Sequence, residues 1–317
     1  MENIEKKETL VLNNLLIGSS SPHVRSSETV QRIMLDVIIA LIPTSIASVY
    51  FFGLRALLLI IVTCIAAVVS EALCQKMFKR PVTVYDLSAV VTGMILALNL
   101  PVTFPLWKAA LGAVFAIVVV KQFFGGLGSN FMNPALAARA MLLASFGKEM
   151  SNFTKPLTDM VSQATPLAGG EIPSNLDLFL GNVGGSIGEV SKLAILIGAC
   201  YLLVRRVIDI KIPLIYILTT FVLSFIFEKS LDGAIFQILA GGLIFGAFFM
   251  ATDYATTPIN PLGQIIFAIG CGVLTTIIRQ FGGYPEGVSF SIIIMNICVP
   301  LIEKYTMRKT FGTGGSK

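Results

Sequence analysis

Long apolar segments separated by short polar connections follow the chain from residue 33 to residue 303. One crossing of a bilayer needs roughly 20 apolar residues. The segments lie near 33–53, 55–74, 86–100, 104–121, 135–147, 186–204, 212–228, 234–250, 263–278 and 287–303. The fifth segment is too short to cross alone. The pattern predicts an all-α polytopic membrane protein with about ten transmembrane helices.

The composition narrows the class of protein further. Of 317 residues, 55% are hydrophobic and 13% are charged, and the mean hydropathy is +0.83. These values exclude an ordinary cytosolic enzyme and a disordered chain. The five cysteines form no CxxC pair and the single histidine, His23, precedes the first segment, so no metal site is expected. Lys and Arg collect in short loops, a pattern of membrane orientation rather than of nucleic-acid binding.

The positive charges predict the orientation. With the N-terminus inside, fifteen Lys and Arg residues fall in inside loops and seven in outside loops, with Arg139 left uncounted in the fifth segment. This excess predicts that both termini are cytoplasmic. The first thirty residues show no long apolar core, so no cleavable signal peptide is expected. The chain is therefore predicted to begin with a cytoplasmic segment (1–32) and a first membrane repeat (33–147). An outside loop (148–185), a second membrane repeat (186–303) and a cytoplasmic tail (304–317) follow.

Two short motifs recur about half the chain length apart. Lys121-Gln-Phe-Phe-Gly-Gly126 returns as Arg279-Gln-Phe-Gly-Gly283, and Pro105-Leu106 returns as Pro261-Leu262. Five segments separate equivalent points, and an odd number turns the second copy over in the membrane. The motifs therefore predict a 5+5 inverted repeat. Chance similarity between two short helix ends is the alternative.

Two stretches combine Gly or Pro with polar side chains at membrane depth, Gly125–Pro134 and Thr252–Pro261. Lipid cannot satisfy backbone groups that leave a helix, so broken helices must line a cavity or be surrounded by protein. Their free amides and hydroxyls suit a buried polar ligand. Ordinary interfacial turns are the other interpretation.

Acidic residues in or beside the segments are candidates for an ion pathway, because buried carboxylates are costly. Asp86 and Asp253 lie near helix breakers and are the better candidates; the others are Asp36, Glu71, Glu286 and Glu303. Carboxylates alone do not distinguish sodium from protons.

The outside loop contains Asp159-Met-Val-Ser162-Gln-Ala164-Thr165-Pro. By its residues alone this is an exposed extended turn. It also resembles the flavinylation motif of bacterial redox pumps, in which the final threonine is the acceptor. Met160 and Gln163 depart from the small residues that are common at those positions.

Several motifs in the same order resemble the NqrB/RnfD family of membrane subunits of ion-translocating oxidoreductases, over nearly the whole chain. They are Ser21-Pro-His23 to Asp36, Gly125 to Ala135, Thr252 to Gly263, Gly282-Gly-Tyr-Pro-Glu-Gly287 and the Thr165 motif. The short N-terminal segment fits the Rnf branch better than the quinone-reducing NqrB branch, which stays the alternative.

The resemblance implies that a flavin transferase attaches FMN to Thr165 through a phosphoester outside the prokaryotic cytoplasmic membrane. It also suggests a second, noncovalent flavin, riboflavin, near the broken helices. The expected flavin-lining residues, beside the motif residues Asp159, Ser162 and Ala164, are Gly125, Gly126, Asn130, Asn133, Thr256, Thr257, Gly282, Gly283 and Tyr284.

The implied activity is electron transfer from reduced ferredoxin to NAD, coupled to Na+ or H+ translocation. Iron–sulfur subunits, an NAD-binding subunit and a second FMN-bearing subunit would complete the complex, so the chain alone should have no turnover. A solute channel or carrier without redox function is the rival hypothesis, because fold alone does not fix function.

Overall fold

The computed structural model describes residues 28–154, 174–181, 183–282 and 287–307, together with residues 156, 162, 163 and 167. The predicted FMN acceptor Thr165 lies outside the described residues, as do Asp159, Ala164, Gly283, Tyr284 and Glu286. Ser162 is described by its backbone alone. Nearly all of the described residues with regular structure are helical, which confirms the predicted all-α class.

The helices are α1 Val30–Phe52, α2 Leu54–Met77, α3 Ser88–Leu98, α4 Leu106–Phe115, α5 Pro134–Ser145, α6 Gly147–Met150, α7 Asn175–Leu180, α8 Lys192–Val204, α9 Lys211–Glu228, α10 Leu231–Leu239, α11 Leu243–Phe245, α12 Pro261–Phe281 and α13 Val288–Thr306. The wider turns of π-helix extend α4 through Ala116–Gln122 and α11 through Gly246–Met250. A 3-10 turn, Val84–Asp86, precedes α3. Two short strands, β1 Phe153–Thr154 and β2 Ser162–Gln163, pair antiparallel.

Within the described residues, five helices are long and apolar enough to cross a membrane: α1, α2, α9, α12 and α13. A sixth span results if α10 and α11 count as one, although they meet at an angle of 62°. Helices α3, α5 and α8 are apolar but shorter. The chain is therefore a multi-pass membrane protein, and the number of ten crossings stays a prediction.

Two predicted segments are wrong in detail. The segment 186–204 becomes a helix only at Lys192, because Ser191 caps the helix by accepting a hydrogen bond from the Ala194 amide. The segment 234–250 is not one helix but is broken at Ala240–Gly242, where Gly241 has a φ of 66° that other residues rarely adopt.

Close helix packing relies on small residues. Helix α1 packs against α8, where a Cβ added to Gly198 would stand 2.0 Å from the Ala40 carbonyl oxygen. Helix α2 packs on α3 and α4, and α9 packs on α10 and α12. Small residues at such contacts let backbones approach and gain dispersion energy, as is usual between membrane helices.

Candidate functional site

The two polar stretches predicted from sequence meet at one cavity, which we call the inner cavity. It holds about 790 Å³ of space free of atoms, including open solvent at its mouth. The walls are mainly aliphatic and aromatic, with Val91, Ile95, Phe248 and Phe249 among them. The polar groups at its surface come from these residues: Ser88, Thr92, Lys121, Asn130, Asn133, Thr252, Asp253 and Tyr254.

Both π segments border the inner cavity. Lys121 lies on the first, and Phe248 and Phe249 lie on the second. A π turn changes the direction in which the following side chains project, and such turns are frequent at functional sites. Here they place a cation and two aromatic rings at the cavity wall.

Lys121 is held by a buried polar cluster. Its Nζ lies 2.7 Å from Glu71 Oε1 and donates to Ser88 Oγ at 2.6 Å. Gln122 Nε2 donates to the same Glu71 oxygen at 2.8 Å. Glu71 Oε2 is buried and has no hydrogen-bond partner within the described part of the chain. Ser88 in turn donates from its hydroxyl to Asp86 Oδ1 at 2.6 Å, so the cluster reaches a partly exposed carboxylate.

Asparagine side chains hold the two stretches together. Asn133 caps α5 by accepting hydrogen bonds from the Ala135 and Leu136 amides, and its Nδ2 donates to the Met250 carbonyl at 3.4 Å. Asn296 of α13 contacts both stretches through its side-chain amide. The nitrogen of this amide donates to the Thr256 carbonyl, and its oxygen accepts from the Asn133 backbone amide, each at 3.1 Å. One residue of α13 thus fixes the spacing of both broken stretches.

Asp253 faces the cavity from the second stretch. Thr256 donates to its Oδ2 at 3.1 Å, and Thr257 donates to its backbone carbonyl. Lys121 lines the same cavity, so a carboxylate and an ammonium face one space. Thr256 and Thr257, both predicted as flavin-lining residues, therefore act here by orienting Asp253 and its turn.

The remaining predicted residues lie elsewhere. Gly125 and Gly126 have φ values of 123° and 102° and form the tight turn before Asn130, without lining the cavity. Gly282 ends α12 and does not line it either. Asp36 accepts hydrogen bonds from Tyr201 and Arg205, which ties α1 to the end of α8. Glu303 accepts one from the Ile259 amide, at the far end of the second stretch.

A second buried ionic cluster was missed from sequence. Arg139 Nη1 contacts Asn99 Oδ1 at 3.1 Å, Ser289 Oγ at 2.8 Å and Glu189 Oε1 at 3.5 Å. Arg139 is only 6% exposed and Glu189 only 3%. A cation inside the short apolar fifth segment was the signal that could have found it, since an unpaired charge there is very costly.

Glu189 also lines a second, smaller cavity, with about 370 Å³ of space free of atoms including open solvent, which we call the outer cavity. Lys192 lines it too and donates to the Gly241 carbonyl at 2.9 Å, at the break between α10 and α11. Leu167, two residues after Thr165, forms part of its wall. The outer cavity therefore adjoins the segment that carries the predicted FMN acceptor.

Comparison with known proteins decides the family, because residues 17–312 match the family described as NQR2, RnfD, RnfE. The chain belongs to this family. It is 51% identical, over 94% of its length and 95% of the relative, to a subunit of the Na(+)-translocating ferredoxin:NAD(+) oxidoreductase complex of Acetobacterium woodii. It is 41% identical, over 96% of its length and 99% of the relative, to a subunit of the proton-translocating ferredoxin:NAD(+) oxidoreductase complex of Clostridium ljungdahlii.

A third relative is a subunit of the ion-translocating oxidoreductase complex of Stutzerimonas stutzeri, 38% identical over 91% of this chain and 93% of the relative. The resemblance recognised in the sequence motifs is thereby confirmed. Two of these relatives are named for different ions, so similarity of this degree does not distinguish sodium from protons.

Proposed function

We propose that the chain is the RnfD-type subunit of an Rnf complex in a prokaryotic cytoplasmic membrane, carrying electrons between ferredoxin and NAD as ions cross the membrane. The observation that carries this proposal is the 51% identity, over 94% of the chain, to a relative named as a subunit of a ferredoxin:NAD(+) oxidoreductase complex. The iron–sulfur centres, the NAD site and a further flavin would be supplied by other subunits. Alone, the chain would show no turnover.

Covalent FMN on Thr165, attached by a flavin transferase, is the first proposed cofactor. The motif at 159–165 and the outer cavity beside Leu167 support it. Flavin accepts electrons singly or in pairs, so it can link one-electron and two-electron partners. Lys192 and Glu189, at the cavity wall, would set the charge near the ring.

The inner cavity is the proposed site of a noncovalent flavin, riboflavin. An isoalloxazine has a flat apolar face and a polar edge, and the cavity offers both matching surfaces. Val91, Phe248 and Phe249 supply the apolar wall, while Lys121 and Asn130 supply donors. These residues would bind and orient the ring and exclude water from it.

Equivalent contacts in the two halves support the proposed inverted repeat. Gln122 on α4's π extension donates to Glu71 on α2, and Gln280 on α12 donates to Glu228 on α9 at 3.5 Å. The offsets are 158 and 157 residues, close to those of the sequence motifs. In this proposed arrangement the inner and outer cavities would lie toward opposite faces, with Thr165 outside and both termini inside.

The ion pathway is proposed to use the carboxylates of the inner cavity and its cluster, Asp253, Glu71 and Asp86. Asp253 lines the cavity, Glu71 pairs with the buried lysine, and Asp86 accepts from Ser88. Asp36 is a weaker candidate because Tyr201 and Arg205 already satisfy its oxygens.

Intact-protein mass spectrometry on the chain from its native membrane tests the FMN proposal. We expect a mass increment of FMN minus water that is absent from Thr165→Ala and kept in the neighbouring control Thr158→Ala. Fluorescence of the denatured band should follow the same pattern. An unmodified chain from cells that contain the transferase would overturn the FMN proposal.

Two alternatives have their own tests. Electron transfer to quinone instead of NAD would move the assignment to the NqrB branch. A colourless purified complex, with solute flux that is insensitive to Thr165→Ala, would favour a channel or carrier.

A further inference from the structure

Three polar side chains form an unbroken hydrogen-bonded line that ends at the inner cavity. Asp86 Oδ1 accepts from Ser88 Oγ at 2.6 Å, and Ser88 Oγ accepts from Lys121 Nζ at 2.6 Å. Asp86 lies on the partly exposed turn Val84–Asp86, whereas Ser88 and Lys121 line the cavity. The line therefore joins the protein surface to the ligand space.

The inner part of this line is buried. Ser88 is 4% exposed and Lys121 is 2% exposed. A buried lysine is costly unless it is paired and hydrogen-bonded, and Glu71 supplies that pairing at 2.7 Å. The ammonium is held between a carboxylate on one side and a hydroxyl on the other, with the cavity in front of it.

Of the groups that hydrogen-bond or ion-pair with Lys121 in the described part of the chain, only Ser88 leads on to a further carboxylate. Glu71 faces it from α2, Asp86 faces it through Ser88, and Asp253 lies at the same cavity. Beyond Glu71 the only described hydrogen-bond partner is the amide of Gln122, and Glu71 Oε2 has none within the described chain. Only the branch through Ser88 continues to a partly exposed group.

We propose that Asp86, Ser88 and Lys121 relay protons from water to the redox ligand of the inner cavity. The inference rests on the proposed flavin in that cavity and on electrons from the reduced donor of the complex. Asp86 first takes a proton from hydronium at the surface. When Lys121 Nζ gives a proton into the cavity, its neutral amine accepts the Ser88 hydroxyl proton while Ser88 Oγ accepts the Asp86 proton, so both bonds reverse from their resting directions. One proton thus enters at Asp86 for each that leaves Lys121, while Glu71 stays ionised and holds Nζ.

Ser88→Ala in the whole complex tests the relay, with Thr63→Val as the matched control. Thr63 is buried on α2 away from the lining of the inner cavity, and its hydroxyl donates to the Leu59 and Ile60 carbonyls, outside the relay. Stopped-flow reduction by reduced ferredoxin, with a pH indicator, measures proton uptake. We expect Ser88→Ala to slow uptake by about a hundredfold, and Thr63→Val to match the wild type.

The content of noncovalent flavin, released by denaturation, is measured for every variant. Lys121→Arg provides a second variant, because arginine keeps the charge and does not release its proton. It should bind flavin and show slow uptake. If Lys121→Arg fails to assemble, Ser88→Ala decides alone.

Two results would contradict the relay, and only one of them would also contradict the proposed flavin site. Unchanged uptake in Ser88→Ala, with full flavin content, contradicts the relay and leaves the flavin site intact. Absence of noncovalent flavin from the wild-type complex contradicts both the relay and the proposed use of the inner cavity.

Discussion

The ion pair between Lys121 and Glu71 is the most deeply buried one near a cavity among the described residues, with side-chain exposures of 3% and 1%. Breaking such a pair leaves a lone charge in a medium that solvates it poorly. Replacing both partners with apolar side chains removes that problem.

We therefore expect Lys121→Met to cost about 3–5 kcal/mol of stability, and the double variant with Glu71→Leu to recover most of this loss. Thermal unfolding midpoints in detergent, with size-exclusion profiles, measure the effect. The control is the exposed pair Lys211–Asp209, at 2.8 Å, where Lys211→Met should cost about 1 kcal/mol or less. A single variant as stable as the wild type would contradict this account.

For individual residues, the sequence motifs predicted part of the lining of the inner cavity. Asn130, Asn133 and Asp253 were predicted because polar residues beside Gly and Pro at membrane depth must be surrounded by protein. Lys121 was considered from sequence only as a loop charge and as the first residue of a repeated motif. The hydropathy pattern predicts that a lysine at a helix end lies at the surface. The pattern does not predict a π turn, and here the π turn brings the lysine side chain to the cavity.

Close contacts between helices depend on a few glycines. At Gly198, the Ala40 carbonyl oxygen of α1 occupies the place where a Cβ would stand. Because this neighbour is backbone, it cannot turn aside as a flexible side chain can. The α1–α8 contact must therefore open if any side chain is introduced.

We expect Gly198→Ala to lower the unfolding midpoint and the yield of assembled complex, with a loss of about 1–3 kcal/mol. Gly147→Ala is the matched control, since nothing lies within 4 Å of a Cβ there. The unfolding midpoints are measured by differential scanning fluorimetry. Equal midpoints for the two variants would contradict the prediction, because they would show that opening the α1–α8 contact does not lower stability.

At the scale of elements, apolar runs predicted the long helices well and the broken ones poorly. Helices α1, α2 and α9 begin and end within three residues of their predicted segments. The bend at Ala240–Gly242 was missed because these residues are small and apolar, so hydropathy continues across them while the backbone does not.

For the whole molecule, the charge pattern makes a prediction about sidedness. Lys76 and Lys148 are both exposed and lie at the ends of helices on opposite sides of the predicted topology. In a background without the native cysteines, Lys76→Cys should react with an impermeant maleimide only in inverted vesicles. Lys148→Cys should react only in intact cells or right-side-out vesicles.

The two labelled positions control for each other, because a leaky preparation labels both from either side. Labelling of both from the same side in sealed vesicles would contradict the proposed topology, and would separate Thr165 from the side on which the transferase is expected to work. Family membership could be read from the motifs alone, whereas sidedness follows only from a weak excess of positive charge.

The π segments have a consequence for how the length of this chain can vary. A π turn holds one residue more than the α-helical turn it replaces, so a deletion between residues 116 and 120 would restore a regular helix. Each residue of an α-helix rotates the next by about 100°, so the same deletion would swing Lys121 away from the inner cavity. Such a shortened chain should still insert and fold, yet its cavity would have lost its lysine. Register in this helix is thus constrained by the cavity and not by the membrane.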